Sequence, residues 1–155
     1  MIATIRHAEP NDLPAIIDMG RDFFDASGSA EFTTFDESSF VTVVISLMSG
    51  ISGGTLLVAE TDGGCVGMAA GICYPFYANL ATKVGQELFW YVKPDFRNGV
   101  GASLLDELEN QALRGGAQVF LTAALAGLRD KAIGRVYERR GYRPAENCYL
   151  KRLSS

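Results

Sequence analysis

The segment that most constrains the fold is FWYVKPDFRNGVGASLL, residues 89–105. An apolar strand pattern leads to Pro94, which cannot donate to a strand ladder, so the strand should end near Val92. Gly99 and Gly101 follow, and a residue without a Cβ lets a ligand approach the backbone closely. The segment therefore predicts a strand, a glycine loop and the start of a helix.

The residues after this loop have the spacing of a helix. Its apolar positions recur every three or four residues: Val100, Leu104, Leu105, Leu108 and Ala112. The free N–H groups and the dipole at a helix start favour a phosphate group. Together with the preceding strand, the helix predicts a site for a cofactor that carries a pyrophosphate.

Composition narrows the class of protein. A chain of 155 residues, 48% of them hydrophobic, suits one domain over residues 1–155. Its net charge of −4 argues against a nucleic-acid partner, and no apolar run reaches membrane-spanning length. Three cysteines without C-x-x-C spacing indicate a reducing, cytoplasmic environment, and a single histidine argues against a metal site.

The remaining patterns predict one mixed α/β domain in the order β-α-α-β-β-β-α-β-α-β. The predicted strands cover residues 3–7, 55–60, 65–72, 87–92, 119–125 and 148–153. The predicted helices begin near residues 10–12, 36, 100 and 131, and the last one is stopped by Gly141.

Two well-known phosphate loops do not match this sequence. A P-loop requires Gly-Lys-Ser/Thr, but Ala102 and Ser103 follow Gly101. A Rossmann fingerprint requires a third glycine where Leu104 stands and an acid at the end of the next strand, and residues 120–125 contain no acid. Both folds are therefore disfavoured.

Two motifs resemble those of the GNAT superfamily of acyl-CoA-dependent N-acyltransferases. Val92-Lys93-Pro94 followed by Arg97-Asn98-Gly99-Val100-Gly101-Ala102 is similar to the family's cofactor motif, Arg/Gln-x-x-Gly-x-Gly/Ala, with one residue fewer after the arginine. Tyr137-Glu138-Arg139-Arg140-Gly141-Tyr142 is similar to the family's Tyr-x-x-x-Gly-Phe/Tyr. The resemblance implies a central mixed, mostly antiparallel sheet flanked by helices.

The resemblance also implies acetyl-CoA as cosubstrate. The cofactor-binding residues that it suggests are Trp90, Tyr91, Val92, Arg97, Asn98, Gly99, Val100, Gly101, Ala102 and Asp130. The pantetheine arm would lie along residues 90–92 like an added strand, and the pyrophosphate would meet the N–H groups of residues 97–102. Asp130 stands where many relatives carry an asparagine.

Two residues resemble the catalytic pair of the family. Tyr137 matches the general acid that protonates the leaving thiolate, and Glu87 is similar to a strand glutamate that acts as the base. The pattern alone also allows a core tyrosine at Tyr137 and an exposed charge at Glu87.

The function that the resemblance implies is transfer of an acetyl group to a primary amine. The acceptor is a small molecule, a peptide N-terminus or a protein lysine, and the residues do not distinguish these. The alternative is a catalytically silent acyl-CoA-binding module on the same fold. The apolar-rich residues 148–153, together with the tendency of the family to form dimers, further predict a homodimer. We expect neither nucleic acid nor a membrane as a partner.

Overall fold

The computed structural model describes residues 2–125 and 130–153. The strands are β1 (Thr4–His7), β2 (Gly54–Thr61), β3 (Gly64–Phe76), β4 (Asn79–Val92) and β5 (Ala117–Leu121). The helices are α1 (Leu13–Ser27), α2 (Glu37–Met48), α3 (Val100–Arg114) and α4 (Asp130–Arg139). The mixed α/β class predicted from the sequence is confirmed.

The five strands form one sheet in the order β1-β2-β3-β4-β5. The first three pairings are antiparallel, whereas β5 runs parallel to β4. A parallel neighbour needs a crossover connection, and α3 provides it between β4 and β5. The sheet is therefore mixed and mostly antiparallel, as predicted.

Helices cover both faces of the sheet, and β4 contributes to both layers. Phe89 and Tyr91 pack with the cluster that includes residues of α1 and α2. Trp90 and Val92 lie in the other cluster, with Leu104 of α3. This alternation follows from the two-residue period of a strand, and it places residues of β4 on both sides of the sheet.

The end of β4 separates from β5. Their pairing runs from Lys83 with Ala117 to Gln86 with Leu121, and residues 87–92 have no partner on β5. A bulge lies at this point, because Gly71 of β3 pairs with Glu87 while the preceding Ala70 pairs with Phe89. A bulge bends its strand, so β4 leaves β5 and opens one edge of its second half.

The predicted strand over residues 148–153 is wrong, since this segment has no regular secondary structure. Tyr149 and Leu153 are 92% and 91% exposed. The apolar residues of this segment would form a strand only against a partner strand and a covered face, and the fold supplies neither at these side chains. The predicted strand 119–125 is also too long, because β5 ends at Leu121.

The fourth predicted strand is too short. β4 begins at Asn79, eight residues before Glu87, and continues the long hairpin from β3. Residues 79–83 are mostly exposed, and Asn79, Thr82 and Lys83 interrupt the apolar run by which buried strands are recognised.

Among residues 2–125 and 130–153, no helix has the length and apolarity needed to span a membrane.

Candidate active site

The first turn of α3 lies beside a surface cavity of about 240 Å³. Gly99 precedes the helix with φ of +91°, a left-handed conformation that favours glycine. Its carbonyl accepts from the Ser103 N–H at 3.1 Å. The N–H groups of the first turn have no acceptor within the helix, so they form an anion-binding end. The cavity is lined by Ile2, Ala3, Asn98, Gly99, Val100 and Ser103.

The two glycines of the loop have different roles. A Cβ added to Gly99 would meet nothing within 4 Å, whereas one added to Gly101 would lie 2.5 Å from the Trp90 ring. Gly101 is thus needed for packing α3 on β4, which corrects the interpretation that its missing Cβ admits a ligand. A bulky residue at this position would test folding rather than cofactor binding.

Residues 90–92 face two directions. The Lys93 N–H donates to the Val66 carbonyl on β3 at 2.9 Å. Because backbone groups alternate in direction along a strand, those of Tyr91 also point to β3, whereas those of Trp90 and Val92 point to the open edge. Arg97 Nε donates to the Val92 carbonyl at 3.0 Å. Trp90 and Val92 can therefore contact an extended ligand through their backbone, whereas the backbone of Tyr91 faces β3 and its side chain is buried with residues of α1 and α2.

Glu87 and Tyr137 meet where β4 and β5 separate. The Tyr137 hydroxyl donates to the Ala123 carbonyl at 3.0 Å, and its side chain is buried. Glu87 Oε2 lies 3.4 Å from the Ala123 N–H, which donates to it. Thr122 Oγ1 joins the two, 3.2 Å from Glu87 Oε2 and 3.0 Å from Tyr137 Oη. The structure thus brings the two predicted catalytic residues into one hydrogen-bonded cluster.

Burial shifts both titratable groups of this cluster. It raises the pKa of the Glu87 carboxyl, and hydrogen bonds from Ala123 N–H and the Thr122 hydroxyl oppose the shift. It also raises the pKa of the Tyr137 phenol, against hydrogen bonds from Thr122 and Trp90. A base with a raised pKa and an acid that stays protonated at neutral pH suit proton transfer.

The Tyr-x-x-x-Gly-Tyr motif closes α4 and holds Tyr137. Gly141 has φ of +86°, its N–H bonds to Glu138 O at 3.1 Å, and the Tyr142 N–H bonds to Tyr137 O at 3.0 Å. This is a Schellman motif, in which the residue after the glycine contacts the last turn. The rings of Tyr142 and Tyr137 lie 5.4 Å apart, and the Tyr142 hydroxyl donates to Glu109 of α3 at 2.6 Å. The motif therefore fixes α4 against α3.

Thr122 is the member of this cluster that sequence reasoning missed. A threonine after a strand carries no special pattern, and only the parallel register of β5 brings it to Glu87.

Asp130 begins α4, and its side chain falls outside the part of the chain that the structure describes. Within that part, no three His, Cys, Asp or Glu side chains are grouped closely enough to hold a metal ion.

Solved structures show the same fold at low sequence identity. AAC(6')-Iy bound to the bisubstrate analogue CoA-S-monomethyl-acetylneamine has a TM-score of 0.78 and 14% identity, over 100% of both chains. A predicted acetyltransferase with acetyl-CoA from Clostridium acetobutylicum has a TM-score of 0.75 and 19% identity, over 98% of this chain and 97% of that one. A ribosomal-protein-alanine N-acetyltransferase from Brucella melitensis biovar Abortus has a TM-score of 0.74 and 19% identity, over 99% of this chain and 100% of that one.

No curated protein matches this sequence significantly. The model of the acetyltransferase (GNAT) domain, in contrast, matches residues 52–144. The match begins just before β2, ends just after the Tyr137 motif, and so contains the β4–α3 loop and the Glu87 cluster. With more than half of its residues matched by this family model, the chain belongs to the GNAT family of acetyltransferases.

Proposed function

We propose that this acetyltransferase moves the acetyl group of acetyl-CoA to a primary amine, with Glu87 as the base and Tyr137 as the acid. The observation that carries the proposal is the cluster in which Thr122 Oγ1 lies within 3.2 Å of Glu87 and 3.0 Å of Tyr137. Amine acylation needs one group that accepts a proton and another that donates one. The cluster supplies both at the open edge of β4.

The residues of this chain fit acetyl-CoA. The first turn of α3 suits the pyrophosphate, because Gly99 leaves its Cβ side open and the adjoining cavity measures about 240 Å³. The unpaired edge of residues 87–92 suits the pantetheine arm, with Trp90 and Val92 as backbone partners. Asn98 and Val100 line the cavity, and Ala102 completes the first turn. Arg97 contributes to this site indirectly, because its Nε donates a hydrogen bond to the Val92 carbonyl.

Bound acetyl-CoA supplies an acetyl group activated as a thioester. Glu87, kept as a half-buried carboxylate, accepts the proton that the amine loses as it forms the amide bond. Tyr137 Oη gives its proton to the departing sulfur, which would otherwise leave as a thiolate. The Schellman motif at Gly141 keeps Tyr137 in place for this step.

We propose that the acceptor is a primary amine carried by a small molecule, a peptide N-terminus or a protein lysine. Among the similar structures, one holds the bisubstrate analogue CoA-S-monomethyl-acetylneamine and another is named a ribosomal-protein-alanine N-acetyltransferase. The net charge of −4 favours a cationic acceptor without selecting one. One domain over residues 1–155, a homodimer and a cytoplasmic location stay predictions of the sequence.

Turnover across a panel of amines tests this function. The panel contains polyamines, aminoglycosides, peptides with free N-termini and lysine peptides, and thiol release from acetyl-CoA is measured with each. We expect at least one amine to raise thiol release well above hydrolysis, with the acetylated amine detected by mass spectrometry. Calorimetric binding of CoA without turnover of any amine would instead identify a silent acyl-CoA-binding module.

A charge at Ser103 should separate cofactor binding from folding. Ser103 directly follows the first turn of α3, is exposed and lines the cavity. Ser103→Asp should weaken CoA binding by about tenfold or more, because two negative groups would share the site. Its stability should be retained, since an acid near a helix N-terminus is favourable. Ser103→Asn is the neutral control, and equal CoA affinity of the two variants by calorimetry would contradict the placement of the pyrophosphate.

A further inference from the structure

The Thr122 hydroxyl has one proton and two acceptors. Its Oγ1 lies 3.2 Å from Glu87 Oε2 and 3.0 Å from Tyr137 Oη, and both distances are within hydrogen-bond range. The Tyr137 hydroxyl already donates to the Ala123 carbonyl at 3.0 Å, so Tyr137 is free to accept from Thr122. Glu87, Thr122 and Tyr137 therefore form a continuous chain along which a proton can move in either direction.

The proposed reaction leaves the two catalytic groups in the wrong protonation states. After each turnover Glu87 holds an extra proton and Tyr137 lacks one. Tyr137 is only 8% exposed, which restricts the direct reprotonation of its phenolate by solvent. Glu87 is half-buried, and its proton is one hydroxyl away from the phenolate. The missing step is thus a transfer over two hydrogen bonds.

We infer that Thr122 returns this proton from Glu87 to Tyr137 and so resets the enzyme. The Thr122 O–H bond breaks as its proton joins Tyr137 Oη, and Thr122 Oγ1 takes the proton of Glu87 Oε2. The products are a neutral phenol, a neutral threonine and a carboxylate, so protons and charge balance and no electrons are exchanged. This inference rests on the proposed function, and it makes Thr122 a proton relay that acts through Tyr137.

The test compares two variants of Thr122 with the wild type, using the best amine of the panel. Thr122→Val keeps the branched shape and removes the hydroxyl, whereas Thr122→Ser keeps the hydroxyl. We expect Thr122→Val to lower kcat by about 10- to 100-fold with little change in KM for either substrate. Thr122→Ser should stay within about threefold of the wild type. If Thr122→Val does not fold, Thr122→Ala takes its place.

Rescue by an external proton carrier distinguishes a relay from simple support of Tyr137. Imidazole is not a primary amine, and at neutral pH a share of it is protonated and can deliver a proton. Added imidazole should raise the kcat of Thr122→Val and leave the wild type unchanged. A Thr122→Val enzyme that turns over like the wild type, or a slow one that imidazole does not restore, would overturn the relay.

The outcomes also separate this inference from the proposed function. A wild-type protein that acetylates no amine of the panel overturns the proposed function, and the relay with it. An active wild type whose Thr122→Val variant shows unchanged kcat overturns the relay alone and leaves the assignment of Tyr137 and Glu87 in place.

Discussion

Tyr137→Phe should lower the turnover number by roughly 10- to 1,000-fold, since positioned acid catalysis contributes on this scale. The change removes one hydroxyl and little volume, so CoA binding should survive. Loss of the hydrogen bond to the Ala123 carbonyl should cost about 1 kcal/mol of stability. If Tyr137 were only a core residue, the loss of stability would appear without the loss of turnover.

Tyr142→Phe is the matched control for this variant. Its ring lies 5.4 Å from that of Tyr137, but its hydroxyl donates to Glu109 of α3 instead of entering the Glu87 cluster. Tyr142→Phe should lose stability and keep turnover within about twofold. Equal loss of turnover in the two variants would show that support of α4, and not proton donation by Tyr137, explains the effect.

The pH dependence gives Tyr137 a second signature. Burial raises the pKa of its phenol above the ordinary value for tyrosine, so the wild type should keep its acid protonated over the whole neutral range. Ionisation of the phenol should produce a fall in rate only at higher pH, and the residual activity of Tyr137→Phe should lack this fall. A rate profile with an unchanged high-pH limb in Tyr137→Phe would assign that limb to another group.

Glu87→Gln should lower turnover by about 100-fold or more, because an amide cannot accept the proton of the amine. The amide oxygen can still accept the hydrogen bonds of Thr122 and Ala123, so the local structure should be kept. The wild-type rate should fall as pH falls through the pKa of Glu87, which burial raises above that of an exposed glutamate. Glu87→Gln should lose this acid limb.

The same substitution should preserve or increase stability at neutral pH. A carboxyl whose pKa is raised on folding binds its proton more tightly in the folded than in the unfolded state. The stability that such a carboxyl contributes is therefore greatest at pH values below its pKa in the unfolded chain. This stability is lost as the pH rises through its pKa in the folded protein. The amide of the variant carries no charge to bury, so the melting temperature of Glu87→Gln should match or exceed the wild type at pH 7. Glu138→Gln changes an exposed carboxylate and should alter neither turnover nor stability.

The parts of the site that depend on local chain geometry could be predicted from the sequence. Pro94 and Gly99 mark the end of β4 and the start of α3 because each residue restricts the backbone directly. Gly141 followed by an aromatic residue closes α4 for the same kind of reason. Such signals lie within a few residues of one another, so they can be read without knowing the fold.

The parts that depend on distant pairing could not be predicted. The separation of β4 from β5 requires the bulge at Glu87 and the register of two strands with a helix between them. Thr122 gains its importance only from that register, as its neighbours in sequence are ordinary apolar residues. Residues 148–153 are rich in apolar side chains, which suit a strand, but a strand also needs a partner, and none of the five described strands pairs with them.

Acetyl transfer by the Glu87–Tyr137 cluster is tested by amine-dependent CoA release from the Glu87→Gln/Tyr137→Phe double variant, with CoA affinity measured on the same sample. We expect CoA still to bind with nearly wild-type affinity while amine-dependent release falls to the level without enzyme. Release by the double variant at a rate near that of the wild type would contradict the assignment of acetyl transfer to this cluster.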